Sequence, residues 1–150
     1  MKRFRFPLDR VLRLRELHER DQARVLGEAL HAEREQRAAL DRAHAGLERA
    51  GEQVVRGSGV DLTAGALRNL GLTLQAAMLA AEAAAEVHRA ATESVVREQD
   101  RFKEARRDRR VIEKLREKRH MDWSVTSARA EQKESDSLTE ARRHIARGDA

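Results

Sequence analysis

One proline, at position 7, and one cluster of breakers, Arg56-Gly57-Ser58-Gly59-Val60-Asp61, are the strong punctuation marks in this 150-residue chain. Prolines and clustered glycines are what end helices, because one removes a backbone donor and the other carries the largest entropy cost. The sequence is therefore free to form one long helix on each side of a single break. Pro7 suits a helix start, where its missing N–H is an orphan donor anyway. Asp9 falls in the first turn, where negative charge complements the dipole. Asp61 can cap the second helix by accepting from backbone N–H groups two or three residues on. The expected organisation is a single coiled-coil domain over 1–150, with a helix at about 7–55, a turn at 56–61 and a helix at about 62–147.

Periodicity supports that division. In the first segment Leu26, Leu30, Leu40, Leu47 and Val54 fit one heptad seam, interrupted by Glu33, Arg37, His44 and Gly51. A stripe of small residues, Ala29, Ala32, Ala39, Ala43 and Ala50, runs beside it. Asp9–Arg13, Glu16–Arg20 and Glu33–Arg37 are spaced to pair at i, i+4 on the solvated side. In the second segment Leu67, Leu70, Leu74, Ala77, Ala81, Ala84, His88, Ala91, Val95, Phe102, Ala105 and Ile112 follow steps of three, four or seven, the signature of a coiled-coil strand. Gly65 and Gly71 weaken its start and leave open a short separate helix near 62–70. Beyond Leu115 the seam decays, with only Met121, Val125, Leu138 and Ile145 widely spaced, so the last thirty residues read as a polar helix fraying near Gly148.

Two amphipathic segments joined by six residues imply an all-α fold, a long antiparallel two-helix coiled-coil hairpin with a C-terminal helical overhang. A first helix of about 48 residues would be roughly 72 Å long. Pairing about Ser58 places residue i near residue 116−i, which sets Arg5 and Arg10 opposite RFKEARRDRR. The second helix then overshoots by about 35 residues, or roughly 50 Å.

Charge and composition narrow the function. Net charge is +5, distributed as +4 over residues 1–20, −3 over 21–96, +5 over 97–120 and −1 over 121–150. Folding back brings both basic blocks to one end. Three Phe, one Trp and no Tyr cannot build the core of an ordinary globular enzyme, and alanine buries little apolar area per residue. High Ala, Glu, Arg and Leu with little Pro is a long-helix profile. The absence of Cys excludes disulfides, thiolate nucleophiles and Cys-ligated metals, and suits a reducing compartment. The longest uncharged run, Asn69 to Ala81, is shorter than a spanning helix needs. Basic residues at the start are followed by no apolar stretch, so no secretory signal is expected and the chain reads as soluble.

Catalysis is not expected. The six histidines (18, 31, 44, 88, 120, 144) never stand three or four apart, as helix-borne metal ligands would, and no phosphate-binding glycine motif occurs. His44 and His88 fall where a seam polar residue more often sets register than binds metal. No metal site, cofactor or small-molecule substrate is expected. RFKEARRDRRVIEKLREKRH carries charge that would attract phosphates, but four interspersed acids and scarce aromatics favour a solvated coiled-coil face. QAAMLAAEAAAEVHRAA combines high helix propensity with a thin interface. Leu74, just before it, with Met78 and Ala81 could also leave an apolar patch near the turn end for a partner, where Met adapts well.

Three segments, in order, resemble the FliJ family of the bacterial flagellar type III export apparatus. Phe4-x-Phe6-x-Leu8-x-x-Val11-Leu12-x-x-Arg15 is similar to that family's F-x-F-x-L-x-x-L-L-x-x-R opening. Val111, Glu113, Lys114, Leu115 and Lys118 resemble its basic segment. Glu131, Gln132, Lys133, Glu134, Asp136 and Leu138 resemble its C-terminal EQKElDEl stretch.

The resemblance implies a non-enzymatic component similar to the coiled-coil stalk of rotary ATPases. It implies the export ATPase hexamer and the cytoplasmic domain of the membrane export gate as partners, with export chaperones as further ones and no nucleic acid. A general or escort chaperone role, and a cytoplasmic location peripheral to the inner face of the membrane at the flagellar base, come with it. On this basis Arg10, Arg13, Arg107 and Arg110 are the candidates for the ATPase ring. Leu40, Leu47, Leu74, Met78 and Ala81 are those for the gate, where the chain has Leu and Ala in place of the Tyr and Phe common in the family. Two other readings stay open: the equivalent stalk protein of a virulence type III secretion system, and a basic nucleic-acid-associated coiled coil.

Overall fold

The computed structural model describes the backbone of residues 3–57, 59 and 63–148, and side chains as far as residue 143. Two helices, α1 (Asp9–Gly57) and α2 (Ala64–Gly148), pack against each other as a helical hairpin, with no strand among the described residues. The expected bend at Ser58 and cap at Asp61 lie outside the described residues. Pro7 sits in a turn before α1, closed by the Asp9 N–H donating to the Phe6 carbonyl at 3.2 Å. At the start of α2, the Thr63 hydroxyl accepts from the Ala66 N–H at 3.3 Å, so Thr63 is an N-cap. Gly65 and Gly71 do not break α2, which runs continuously from Ala64.

The chain divides into two compact units, one of Arg20–Glu104 and one of Met1–Glu19 with Ala105–Ala150. In the first, burial follows steps of four and three, alternating along α1 and, from Leu74 onward, along α2. Gln22, Leu26, Ala29, Glu33, Gln36, Leu40, Ala43, Leu47, Ala50 and Val54 turn inward from α1. Ala66, Leu70, Leu74, Ala77, Ala81, Ala84, His88, Ala91, Val95, Glu98 and Phe102 turn inward from α2. That is a heptad seam on each helix. Leu67, expected in the seam, is 55% exposed, because Ala66 takes its place. Arg37 and His44 face outward, so neither interrupts the seam. Glu33 turns inward to pair with His88 rather than outward to Arg37. Of the three i, i+4 pairs expected on α1, Asp9–Arg13 forms, at 2.8 Å.

The register differs from the expected one. Glu33 meets His88 at 2.9 Å, so here residue i faces residue 121−i rather than 116−i. The cause is the length of the elements: α1 persists through Gly57 and α2 begins at Ala64, which moves the centre of the reversal beyond Ser58.

In the other unit the core is Phe6, Leu12 and Ala105, with Ile112 and Leu115 half-buried. Arg15 pairs with Asp108 at 2.9 Å, and Phe4 lies against His120 and Trp123. The N-terminal segment therefore reaches the 116–123 stretch instead of stopping opposite residues 101–110. Packing extends past Leu115, and the unpacked end of α2 is correspondingly shorter than expected. Residues 128–143 are exposed throughout.

Within α2 an 18-residue window carrying at most two charges reaches a mean hydropathy of 1.2, which by length and composition alone would suffice to cross a membrane. This window is longer than the uncharged run Asn69 to Ala81, because alanines keep the mean high across Glu82 and Glu86.

Candidate functional site

Arginine dominates the unit containing the N-terminal segment. Two of its arginines are bound inward: Arg109 donates to Glu19 across the helix pair and to Glu113 on its own helix, the latter at 2.6 Å, and Arg15 pairs with Asp108. The Arg109 guanidinium has a raised pKa, first through its hydrogen bond to Glu19, and stays protonated. The exposed cations are different. Arg10, Arg107 and Arg110 are exposed and have no ion pair among the described residues, while Arg13 is held by Asp9. Arg5, Arg10, Arg13 and Arg116 share the wall of an open groove of about 760 Å³ beside Phe4. All four candidates for the ATPase ring thus lie in this one unit, on its surface.

The three rings of Phe4, His120 and Trp123 form a cluster that periodicity did not reveal. Phe4 and His120 meet edge-on at 5.0 Å, Phe4 and Trp123 lie 5.8 Å apart, and His120 and Trp123 5.9 Å apart. Such aromatic pairs contribute about 0.5–1.5 kcal/mol beyond their buried area. They tie the segment before α1 to α2. The signal was present in composition, since Trp123 is the only Trp and Phe4 begins the F-x-F opening.

In the Arg20–Glu104 unit, the gate candidates split between two faces. Leu40, Leu47 and Leu74 are half-buried and Ala81 is 6% exposed, all in the seam between the helices. Met78 is 48% exposed and lies outside it. On the far side of α2 from the seam, Leu72 and Leu79 are 58% and 59% exposed, with Val87 beyond them at 49%. Helical phase places Leu72, Ala76, Leu79 and Ala83 on one outward stripe.

Polar groups interrupt the seam of this unit. His88 and Glu33 pair with 22% of each side chain exposed. Gln22 Oε1 and Glu98 Oε2 are buried without a hydrogen-bond partner, although the other Glu98 oxygen accepts from Arg101 at 2.8 Å. On the surface Arg24 is raised by its hydrogen bonds to Asp21 and Glu28, and Glu86 is lowered by its hydrogen bond to Arg89. Surface pairs of this kind add little stability. Among the described residues no three His, Cys, Asp or Glu side chains gather as metal ligands would.

One family model, described as the flagellar FliJ protein, matches residues 4–148. No curated protein and no solved structure matches.

Proposed function

The chain belongs to the FliJ family, and is therefore a component of the flagellar type III export apparatus; from that premise we propose that it is a non-enzymatic coiled-coil stalk linking the export ATPase ring to the cytoplasmic domain of the membrane export gate. In this role it helps couple ATP hydrolysis and proton motive force to export, and serves as a general or escort chaperone. It works in the cytoplasm, at the inner face of the membrane by the flagellar base. Export chaperones are further partners.

The observation that carries the reading is the family match over nearly the whole chain. Two features support it. Exposed arginines crowd the surface of one unit, where Arg10, Arg107 and Arg110, unpaired among the described residues, and Arg13, held by Asp9, would meet acidic groups of the ring. Apolar residues lie exposed on α2 in the other, where Met78, with the neighbouring Leu40, Leu47, Leu74 and Ala81, marks the gate contact. The seam positions among these act by holding α2 in place beneath the exposed ones. No grouping of the described side chains resembles a catalytic constellation, and the role needs none.

Deleting the gene should abolish or sharply reduce swimming and filament export, and the wild-type gene should restore both. A quadruple Arg→Glu variant at 10, 13, 107 and 110 should fail to restore motility while retaining its helical circular dichroism. Normal swimming in the deletion strain would refute the assignment.

A further inference from the structure

The outer face of α2 between Arg107 and Val125 begins with Arg107 and Arg110, which the stalk reading gives to the ATPase ring, and runs on through residues that reading does not use. At about 100° per residue, Arg107, Arg110, Val111, Lys114, Lys118, Met121 and Val125 fall within an arc of about 100°. All seven are exposed, with Val111 at 59%, Met121 at 66% and Val125 at 50%. The ion pairs of this part of the helix run through Asp108 and Arg109 on the inward side, and none reaches Arg107, Arg110, Lys114 or Lys118. The nearest acids, Glu117 and Asp122, lie at the two edges of the arc. The face is thus a single file of four unpaired cations with apolar side chains set among and beyond them.

We propose that this face docks on an anionic phospholipid bilayer. A straight helix face is flat, as a membrane surface is, and its cations complement phosphate headgroups. Val111, Met121 and Val125 can enter the boundary between headgroups and acyl chains. A nucleic-acid duplex would leave those three with nothing to contact, and the face offers no aromatic ring on which a base could stack: Trp123 lies on the opposite side, against Phe4. The inference extends the membrane-proximal location proposed above, and rests on it only for where such a surface would be met; because Arg107 and Arg110 are shared, the chain would meet the bilayer and the ring in turn, not together.

The test is co-sedimentation of the full chain with vesicles of phosphatidylcholine, with or without about 30% phosphatidylglycerol as the anionic lipid. Binding is expected to the anionic vesicles alone, and to be lost in about 0.5 M salt as screening shortens the reach of the charges. Lys114→Glu with Lys118→Glu should weaken it at least about twentyfold, at roughly fivefold per cation removed. Met121→Asp should also weaken it. Both variants change exposed side chains, so their helical circular dichroism should match the wild type. Equal binding to neutral vesicles, no binding at all, indifference to either change, or tighter binding to a DNA duplex in the same salt would each overturn the proposal. The assay holds only protein and lipid, so its failure leaves the ring and gate reading standing, and the reverse is also true.

Discussion

Buried polar side chains govern the energetics at the scale of single residues. The seam between the helices is thin, because alanine supplies many of its contacts, and each polar atom within it weighs heavily. Glu98 is the clearest case: one oxygen accepts from Arg101, whose side chain is 64% exposed, and the other is buried without a partner. An unsatisfied buried acceptor costs about 1–3 kcal/mol, more when charged, whereas the exposed ion pair returns at most about 1 kcal/mol. Glu98→Leu should therefore raise the midpoint of thermal unfolding, corresponding to a gain of about 1–3 kcal/mol; a lowered midpoint would show that the second oxygen is satisfied. His88 and Glu33 differ, because each satisfies the other. Sequence spacing placed His88 in the seam correctly. It misdirected Glu33 toward Arg37, since an i, i+4 partner is visible in one dimension and a partner 55 residues away is not.

At the scale of the helices, glycine is the main weakness. Gly27, Gly46, Gly51 and Gly71 sit inside helices without a positive φ, and an added Cβ would meet no atom within 4 Å. Nothing in the packing requires them, and each costs about 0.5–1 kcal/mol relative to alanine. Gly27→Ala combined with Gly71→Ala should stabilise the protein by about 1–2 kcal/mol in urea unfolding, since sites this far apart add; a loss would mean that one of them bends its helix. Element type and extent were legible in the sequence, because breakers and heptads act locally. The register was not. It depends on where α1 stops and α2 starts, and a difference of two to three residues there moved the partner of Glu33 by five, to His88. The Phe4–His120–Trp123 cluster was hidden for the same reason: an aromatic before the first helix has no period to reveal its partner.

At the scale of the whole molecule, the proposed function draws on the segregation of charge along the chain rather than on any pocket. The basic blocks at 1–20 and 97–120 were readable from the sequence as arithmetic, and the candidate arginines do fall on the surface of one unit. The gate candidates came from a heptad list, which selects seam residues, and Leu40, Leu47, Leu74 and Ala81 do fall in the seam, whereas the apolar side chains it leaves exposed are those of Met78, Leu72 and Leu79. The linking role is the central claim, and one measurement addresses it directly: capture of the export ATPase on immobilised cytoplasmic domain of the export gate, with and without this chain. The account predicts that the ATPase is retained in substantial excess when the chain is present, and that the excess is lost with the Arg10, Arg13, Arg107 and Arg110→Glu variant. Retention that is the same without the chain, or competition between the two partners for it, would contradict the account.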